Sequence, residues 1–208
     1  MRAEPPYAIR TQRLLIRCWE PTDVEGIRDA IGSSLEHLRP WMPWVAEEPR
    51  SIEDQVALLR TFRGRFDLGQ DYVYGIFTPD GSEVLGGTGL HTRVGDGALE
   101  IGYWIRASRI GEGFATEVSA ALTRIALEHC GVDRVEIRID PENERSASIP
   151  RKLGYVEEGR LRRRLPPSKA DGPPRDVTVF TLFGDTFAGS PSATAAIEAF
   201  DAVGNRVL

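Results

Sequence analysis

A glycine-containing turn in front of a helix is the first place where this sequence offers chemistry. The turn reads Arg109-Ile110-Gly111-Glu112-Gly113-Phe114-Ala115, and apolar residues then recur at helical spacing. The first turn of a helix has about four N–H groups without intrahelical partners, and the helix dipole adds roughly half a positive charge. Because glycine lacks a Cβ, an anion can approach the main chain. The turn predicts an anion site; the simpler alternative is a loop that caps the helix.

Two common nucleotide-binding motifs are excluded at this turn. The P-loop pattern ends in lysine followed by Ser or Thr, and no lysine stands nearby. The dinucleotide fingerprint GxGxxG fails because Thr116 occupies the position of its third glycine. The sequence therefore predicts an anion at this helix end without defining which one.

The composition is that of an ordinary soluble globular protein. Of the 208 residues, 41% are hydrophobic and 27% are charged, and no apolar run is long enough to span a bilayer. The first residues lack the apolar core of a signal peptide, and the 2 cysteines have no CxxC spacing. We therefore expect a cytoplasmic protein with no metal site and no membrane partner. A net charge of −5 argues against direct binding of nucleic acid.

Charge is divided unevenly along the chain. The span from Arg17 to Ala57 holds 4 Arg against 9 Asp and Glu, a local balance of −5. The span from Arg145 to Arg164 holds 7 basic residues against Glu157 and Glu158, a local balance of +5. One interpretation is a cation-favouring region and an anion-holding region. The alternative is a mosaic surface with uneven counts.

The periodicity of apolar residues predicts the elements that position the turn. The predicted order is β, α, α, β-β-β, α, β, α, β, β and a final helix with Ile197, Phe200 and Val203 on one face. Residues 1–10 are predicted to be irregular, and residues 166–174 form a predicted proline-containing loop. Hairpins combined with a β-helix-β crossover indicate the α+β class.

Several segments, taken in order, resemble motifs of the GNAT superfamily of acyl-CoA-dependent N-acyltransferases. The glycine turn resembles the superfamily's pyrophosphate loop, and the strand before it resembles its EIGYWI strand. Two N-terminal segments narrow the resemblance to the RimJ/RimL-like branch, which includes enzymes that acetylate the N-terminal amine of ribosomal proteins. The segments that carry the resemblance, which covers roughly residues 9–183, are Thr11-Gln12-Arg13-Leu14, Leu38-Arg39-Pro40-Trp41-Met42-Pro43-Trp44, Leu99-Glu100-Ile101-Gly102-Tyr103-Trp104-Ile105, Arg109–Ala115, Asn143-Glu144-Arg145-Ser146 and Lys152-Leu153-Gly154-Tyr155 with Glu158-Gly159.

The resemblance implies a GNAT fold, with a mixed, mostly antiparallel sheet splayed at its centre and helices on both faces. It also implies acetyl-CoA, or another acyl-CoA, as co-substrate in the gap between the diverging strands. An acyl-CoA arm would extend the sheet like an added strand. The implied cofactor-binding residues are the main chain of Trp104, Ile105 and Arg106 and the side chain of Asn143 for the pantetheine arm, and Arg109, Ile110, Gly111, Glu112, Gly113, Phe114 and Ala115 for the pyrophosphate.

The resemblance further implies two catalytic residues. Glu100 begins the splayed strand, where the superfamily often places its general base, and an apolar pocket would raise its pKa toward neutrality. The alternative is a surface glutamate. Ser146 matches the position that donates a proton to the leaving sulfur, with the alternative that it is the N-cap of the next helix.

The amine acceptor leaves a weaker signature. Trp41 and Trp44 are candidate walls of its groove, or they pack under the helices. His91 ends the strand beside that of Glu100 and is a candidate base or acceptor contact, or a surface histidine. The acidic span from Arg17 to Ala57 favours a cationic acceptor by complementarity. A protein N-terminus, a small-molecule amine and an antibiotic are all compatible with these candidate residues.

Two interpretations of function follow. The first is an N-acetyltransferase that moves a short acyl group by direct attack in a ternary complex. The second is an acyl-CoA-binding or sensing module without turnover. In either case we predict one GNAT domain over residues 1–185 and a helical extension over 186–208. The extension would dock on the same chain or, in a homodimer, on a second subunit.

Overall fold

The fold is built on a single sheet of nine strands in the part of the chain that is described. The structure is a computed structural model that describes residues 3–167 and 172–208. The strands are β1 (Ala8–Arg10), β2 (Leu15–Cys18), β3 (Tyr72–Phe77), β4 (Val84–His91), β5 (Ala98–Ile105), β6 (Arg134–Ile139), β7 (Val156–Leu165), β8 (Arg175–Phe183) and β9 (Glu198–Phe200).

The sheet has the order β7-β8-β6-β5-β4-β3-β2-β1-β9. Its neighbouring strands are antiparallel except for β5 and β6, which run parallel. That parallel pairing joins Ala98–Glu100 to Arg134–Glu136, whereas the register of β6 with β8 continues to Ile139. Beyond Glu100, the described residues of β5 and β6 therefore diverge. The prediction of a mixed, mostly antiparallel sheet splayed at its centre is confirmed.

Helices cover this sheet on both faces. They are α1 (Val24–Gly32), α2 (Leu35–Leu38), α3 (Ile52–Asp67), α4 (Phe114–Arg124), α5 (Glu144–Lys152) and α6 (Gly184–Phe187). Because strand side chains alternate between faces, they enter two separate apolar clusters. One cluster joins Ile16, Tyr74 and Leu122 of α4. The other joins Trp19, Ile27 of α1 and Leu59 of α3. The predicted α+β class is confirmed.

The two ends of the chain differ from the prediction. Within the predicted irregular lead-in, of which Met1 and Arg2 lie outside the described residues, Ala8–Arg10 forms a strand. Glu198–Phe200 pairs antiparallel with it, and Ala199 is fully buried. The predicted helix over this segment is therefore wrong. The free edge of β1 supplies hydrogen bonds, such as Tyr7 N–H to Phe200 C=O at 2.8 Å, that outweigh local helix propensity.

The C-terminal segment is thus part of the same sheet as the core. Short helical turns at Gly184–Phe187 and Pro191–Thr194 lead from β8 to β9. The domain boundary near residue 185 stays a prediction. Part of the predicted loop of residues 166–174 lies outside the described residues. No helix in the described part is both long and apolar enough to cross a membrane.

Candidate active site

A cavity of about 760 Å³ lies where β5 and β6 diverge. Its floor is formed by β4 and β5, and its walls come from α1, the loop before α3, β6 and the first turn of α5. The lining side chains that carry the argument are Trp41, Trp44, Asp71, His91, Arg93, Glu100, Tyr103, Trp104, Arg138, Asn143 and Ser146. The structure thus brings together both predicted catalytic residues, Asn143 and the three predicted acceptor-side residues.

Glycines clear the floor of this cavity for two rings. In the β4–β5 register Gly87 faces Trp104, Gly89 faces Gly102 and His91 faces Glu100. A Cβ on Gly87 would lie 2.5 Å from Trp104 Nε1, and a Cβ on Gly89 would lie 2.7 Å from His91 Nε2. Real Cβ atoms do not approach this closely, so both rings fold back over strand positions that have no side chain.

Glu100 is buried and surrounded by charge. Its side chain is 7% exposed and accepts hydrogen bonds from Arg93, one of them from Nε at 3.1 Å. Arg138 lies 3.8 Å from the same carboxylate and also pairs with Glu136 of β6. The alternative of a surface strand glutamate is therefore wrong. The expected apolar surroundings are absent as well, since guanidinium groups face this carboxylate from β6 and from the end of β4.

His91 is held by Asp71, which immediately precedes β3. Its Nδ1 lies 2.9 Å and 3.2 Å from the two Asp71 carboxylate oxygens. The imidazole is 17% exposed and lines the cavity. The alternative of a surface histidine is wrong. A carboxylate at Nδ1 favours the tautomer with a proton on Nδ1, which leaves the Nε2 lone pair free.

Ser146 lies in the first turn of α5 but does not cap it. The N-cap is Asn143, whose side-chain oxygen accepts from the Ser146 N–H at 3.2 Å. The Ser146 hydroxyl lies 2.9 Å from the Tyr103 hydroxyl of β5. Burial raises the pKa of Tyr103 to about 12, so the phenol stays protonated at neutral pH. The N-cap alternative for Ser146 is wrong, and its hydroxyl belongs to a pair that bridges the gap.

The glycine turn has the geometry expected of an anion site. Gly111 and Gly113 both have φ of 85°, a left-handed conformation that favours glycine. The first main-chain bond of α4 runs from the Glu117 N–H to the Gly113 carbonyl. The N–H groups of residues 114–116 precede this bond and belong to the first turn of the helix, whose donors lack intrahelical partners. These donors fit a pyrophosphate, as do two guanidinium groups beside the Phe114 ring.

Those two guanidiniums come from Arg13 and Arg109. Their centres lie 4.8 Å and 5.5 Å from the Phe114 ring centroid. Arg13 donates to the Glu112 carbonyl at 2.9 Å and pairs with Glu117. Arg109 pairs with Glu83 at 2.8 Å and Glu112 at 2.9 Å. Ion pairs hold both side chains at the turn, where an anion would meet them.

Past Glu100, the β5 main chain has an edge that β6 does not pair with in the described chain. Trp104 and Ile105 lie on this stretch, and its open edge fits a pantetheine arm added as a strand. The Trp104 ring packs on Trp44 at 5.9 Å between centroids. The side chain of Arg106 donates to Asp29 of α1 at 2.9 Å. Its N–H donates to the Leu85 carbonyl at 2.9 Å and its carbonyl accepts from the Arg109 N–H at 3.0 Å, so the Arg106 main chain is already bonded within the fold.

The acids of the described span from Arg17 to Ala57 do not line the cavity, although other residues of the span do. Among described residues from Arg17 to Ala57, the charged member of the cavity lining is Arg50. Most acids of the span are paired elsewhere, as in Asp23 with Arg17, Glu20 with Arg63, Glu48 with Arg50 and Asp29 with Arg106. Its net charge therefore gives no reason to expect a cationic acceptor.

The arginine-rich span is divided between α5 and β7. Arg160 and Arg162 to Arg164 lie on β7, at the edge of the sheet, with β8 and β6 between them and β5. Arg160 pairs with Asp176 of β8 at 2.9 Å. Arg164 reaches the cavity lining. The interpretation that part of this span faces an anion therefore stays a prediction for α5 rather than for β7, and Ser146 of α5 lines the gap.

Five residues at the site had no role assigned from sequence: Arg13, Asp71, Arg93, Tyr103 and Arg138. Arg13 and Tyr103 lie inside segments that carry the family resemblance. Asp71 precedes β3 by one residue and His91 ends β4, so hairpin pairing alone places them together. The positions of Arg93 and Arg138 at the site could not be predicted from the sequence, because they depend on the turn after β4 and on the β5–β6 register.

Comparison with known proteins identifies relatives of this chain. Residues 13–156 match the acetyltransferase (GNAT) domain family. The chain is 29% identical over 181 residues to the putative ribosomal N-acetyltransferase YdaF of Bacillus subtilis, covering 86% of this chain and 95% of that protein. It is 25% identical to the ribosomal protein uS5-alanine N-acetyltransferase of Escherichia coli, covering 74% and 81%. Mycobacterium smegmatis RimJ, solved in complex with CoA-disulfide, superimposes with a TM-score of 0.75 at 23% identity, covering 89% of this chain and 90% of that one.

Proposed function

The chain belongs to the GNAT acetyltransferase family, and on that premise we propose that it acetylates the N-terminal α-amine of a protein. Its activity is the transfer of an acetyl group from acetyl-CoA to an amine. The acceptor class rests on the relatives, since YdaF is named a putative ribosomal N-acetyltransferase and the Escherichia coli relative modifies an alanine of uS5. An α-amine, with a pKa of about 7.7–8.0, is also easier to deprotonate than a lysine at about 10.4.

The observation that carries the proposal is the continuity of the cavity. It runs without a break from the gap between β5 and β6 to the aromatic wall of Trp41 and Trp44. An acyl donor in the gap and an amine at the aromatic wall would therefore share one space. Such proximity is what direct transfer requires. A mixed apolar and charged lining suits the first residues of a peptide chain, which bring both side-chain and main-chain groups.

Acetyl-CoA would be held by groups at three places. The N–H groups of residues 110–115 and the side chains of Arg13 and Arg109 would hold the pyrophosphate. The main chain of Trp104 and Ile105 would pair with the pantetheine arm. The Asn143 amide would donate to the same arm, because its oxygen already accepts from Ser146 N–H and its NH₂ group has a cavity to face.

Direct attack requires a proton acceptor and a proton donor. The amine nitrogen bonds to the thioester carbon, and the carbon–sulfur bond breaks. The Ser146 hydroxyl gives its proton to the departing thiolate and is resupplied through Tyr103. The amine proton passes to a group at the charged end of the cavity. Glu100 and His91 are the two candidates for it.

A covalent acyl-cysteine intermediate has no residue to form on. Cys18 and Cys130 are both buried, and neither lines the cavity. Burial raises the pKa of Cys18 to about 11 and that of Cys130 to about 12, so both are thiols rather than nucleophilic thiolates at neutral pH. These properties favour transfer within a ternary complex.

The experiment is a thiol-release assay with purified protein, acetyl-CoA and a panel of peptides. Each peptide is paired with a control of identical sequence whose N-terminus is already acetylated. We expect CoA release with the free peptides and a mass gain of one acetyl group at the α-amine. Release that depends on an internal lysine or a small amine would replace the proposed acceptor. Tight CoA binding without release for any amine would support a binding module instead.

A further inference from the structure

We propose that His91 is the residue that accepts the proton from the attacking amine, and that Asp71 is its positioning residue. The proposal rests on the acetyltransferase function proposed above and names its base. It departs from the expectation that Glu100 does this work. Three observations carry it: the glycine floor under the imidazole, the Asp71 contact at Nδ1, and the arginines that occupy Glu100.

The glycine floor leaves space for the imidazole above the β4–β5 pair. His91 Nε2 lies 2.7 Å from where a Cβ of Gly89 would be and 3.4 Å from where a Cβ of Gly102 would be. Gly89 and Gly102 face each other on β4 and β5. The ring therefore reaches from the end of β4 back over the β4–β5 pair, toward the place where Trp104 covers Gly87. An amine seated between the His91 and Trp104 rings would face Nε2.

Asp71 fixes which nitrogen is free. Both of its carboxylate oxygens lie within 3.2 Å of Nδ1, so Nδ1–H donates to the carboxylate and Nε2 keeps its lone pair. When Nε2 takes a proton, the imidazolium forms beside an existing negative charge. The ammonium nitrogen loses two protons on the way to the amide. One forms an N–H bond at Nε2 before the attack, and the second, released once the N–C bond has formed, balances the proton that Ser146 and Tyr103 deliver to the departing thiolate. The carboxylate keeps its charge throughout.

Glu100 is engaged elsewhere. Both of its oxygens accept from Arg93, with Arg138 beside them. Arg138 and Arg134 in turn pair with Glu136 at 2.9 Å and 3.1 Å. The Arg93 guanidinium therefore occupies the hydrogen-bonding positions on both oxygens that an amine would otherwise use. We therefore assign Glu100 to holding Arg93 and the β5–β6 junction in place.

Several charged groups face His91 and enter any pH profile of this site. They are Asp71 before β3, Arg93 just past β4, Glu100 on β5 and Arg138 on β6, all on the cavity side, and Arg65 of α3 on the opposite side. A smaller cavity of about 440 Å³ is lined by Arg65, Asp71, His91 and Arg93. It gives the imidazole a second face through which an accepted proton can leave to water.

The test compares three variants with a matched control in the peptide assay. We expect His91→Gln to lower kcat about 100-fold, the usual scale for a lost general base, and Asp71→Asn to lower it roughly 10-fold. The double variant should be no slower than His91→Gln alone, because Asp71 acts through His91. His129→Gln is the control, since that histidine contacts the Glu4 carbonyl outside the cavity, and it should match the wild type. Calorimetric CoA binding should be unchanged in all of them.

A pH profile separates catalysis from structure. In the wild type, the acidic limb of kcat/KM should stay fixed when peptides with N-terminal amines of different pKa are exchanged. In His91→Gln the midpoint of the acidic limb should follow the pKa of the peptide amine, because only the free amine then reacts. Asp71→Asn supplies the same comparison if His91→Gln does not fold. A wild-type rate and limb in both variants, or an acidic limb that follows the pKa of the amine in Glu100→Gln but not in them, would overturn the assignment to His91. Failure of the wild type to acetylate any amine would instead remove the proposed function.

Discussion

The hydroxyl oxygens of Tyr103 and Ser146 lie 2.9 Å apart, which ties β5 to the first turn of α5 across the gap between β5 and β6. Tyr103 also donates to the Ser146 carbonyl at 3.3 Å. Since burial raises the pKa of Tyr103 to about 12, the phenol keeps its proton over the whole working range of an enzyme. The Ser146 hydroxyl can therefore deliver a proton to the gap and take another from the Tyr103 hydroxyl.

Replacing Ser146 by Ala should slow the chemical step without weakening CoA binding. Without a donor, the thiolate must leave unprotonated, and we expect kcat to fall about 100-fold. Tyr103→Phe should cost less, about 10-fold, because the serine hydroxyl remains. Steady-state kcat and KM for acetyl-CoA measure both effects.

The matched control is Ser148→Ala on the same helix, whose hydroxyl donates to the Arg145 carbonyl on the exposed side. It should leave kcat unchanged. If Ser146→Ala turned over as fast as this control, the serine would have no part in protonating the thiolate.

Substituting Gly113 by Ala should raise KM for acetyl-CoA. The residue has φ of 85°, and an L-residue pays roughly 1–2 kcal/mol in the left-handed region. Relief of this strain would turn the N–H groups of the turn away from the pyrophosphate, so we expect KM to rise about 10-fold with kcat little changed. Kinetics and calorimetric CoA binding measure the shift.

Gly204→Ala separates strain from binding. Gly204 has φ of 87° with open space around its Cβ position and lies far from the cavity. It should lower thermal stability to a similar extent while leaving KM for acetyl-CoA unchanged. Equal KM values for the two variants would show that the turn does not hold the ligand.

Asn143 should have two separable roles. Its oxygen caps α5, and its NH₂ group is free to donate to the pantetheine arm. Asn143→Asp keeps the cap, which is worth about 1 kcal/mol, but removes the donor. We expect its melting temperature to match the wild type and its KM for acetyl-CoA to rise several-fold. Asn143→Ala should lose both properties, and a normal KM in Asn143→Asp would exclude the amide contact.

The two thiols should make stability depend on pH above neutrality. Burial raises the pKa of Cys18 from 9.0 to about 11 and that of Cys130 from 9.0 to about 12. The folded state thus prefers the neutral thiols. Their contribution to stability is complete below about pH 9 and is lost as pH rises through 11 to 12. Urea unfolding at pH 8, 9 and 10 measures this decline, and Cys18→Ala with Cys130→Ala should reduce it. The remaining decline near pH 10 comes from tyrosines whose pKa burial also raises, such as Tyr103.

Thiol reactivity gives an independent measurement. At pH 8 an aromatic disulfide reagent should modify neither cysteine in the folded protein and both in guanidinium chloride. Acetyltransferase activity should survive this treatment. Rapid modification with stoichiometric loss of activity would contradict the absence of a cysteine from the mechanism.

Turn residues, helix caps and the spacing of apolar residues in the sequence predicted those elements that short-range interactions determine. The meander of β3, β4 and β5, the glycine turn and the start of α3 at Ser51 are examples, and the Ser51 side chain accepts from the Asp54 N–H at 3.0 Å. The surroundings of Glu100 were not predictable in this way. Its arginine partners come from the segment after β4 and from β6, and their approach depends on strand register rather than on spacing in the sequence.

The structure of the C-terminal segment could not be predicted from local patterns either. Ile197, Phe200 and Val203 recur at three-residue steps, so the sequence fits a helix as well as a short strand. The exposed edge of β1, which no local pattern reveals, decides between them. Ala199 becomes buried, its carbonyl accepts from the Val207 N–H at 2.8 Å, and Val203 is left 81% exposed.

A pair of aspartate substitutions tests this strand directly. Ala199→Asp places a charge at a fully buried position against the sheet, so we expect a loss of at least about 3 kcal/mol in the free energy of unfolding. Val203→Asp lies at an exposed turn, so it should change stability by less than about 0.5 kcal/mol. A helix docked through Val203 would give the opposite result for that variant. Urea unfolding measures both. Because β9 lies at the far edge of the sheet from the gap between β5 and β6, kcat of the folded fraction should be unchanged in both.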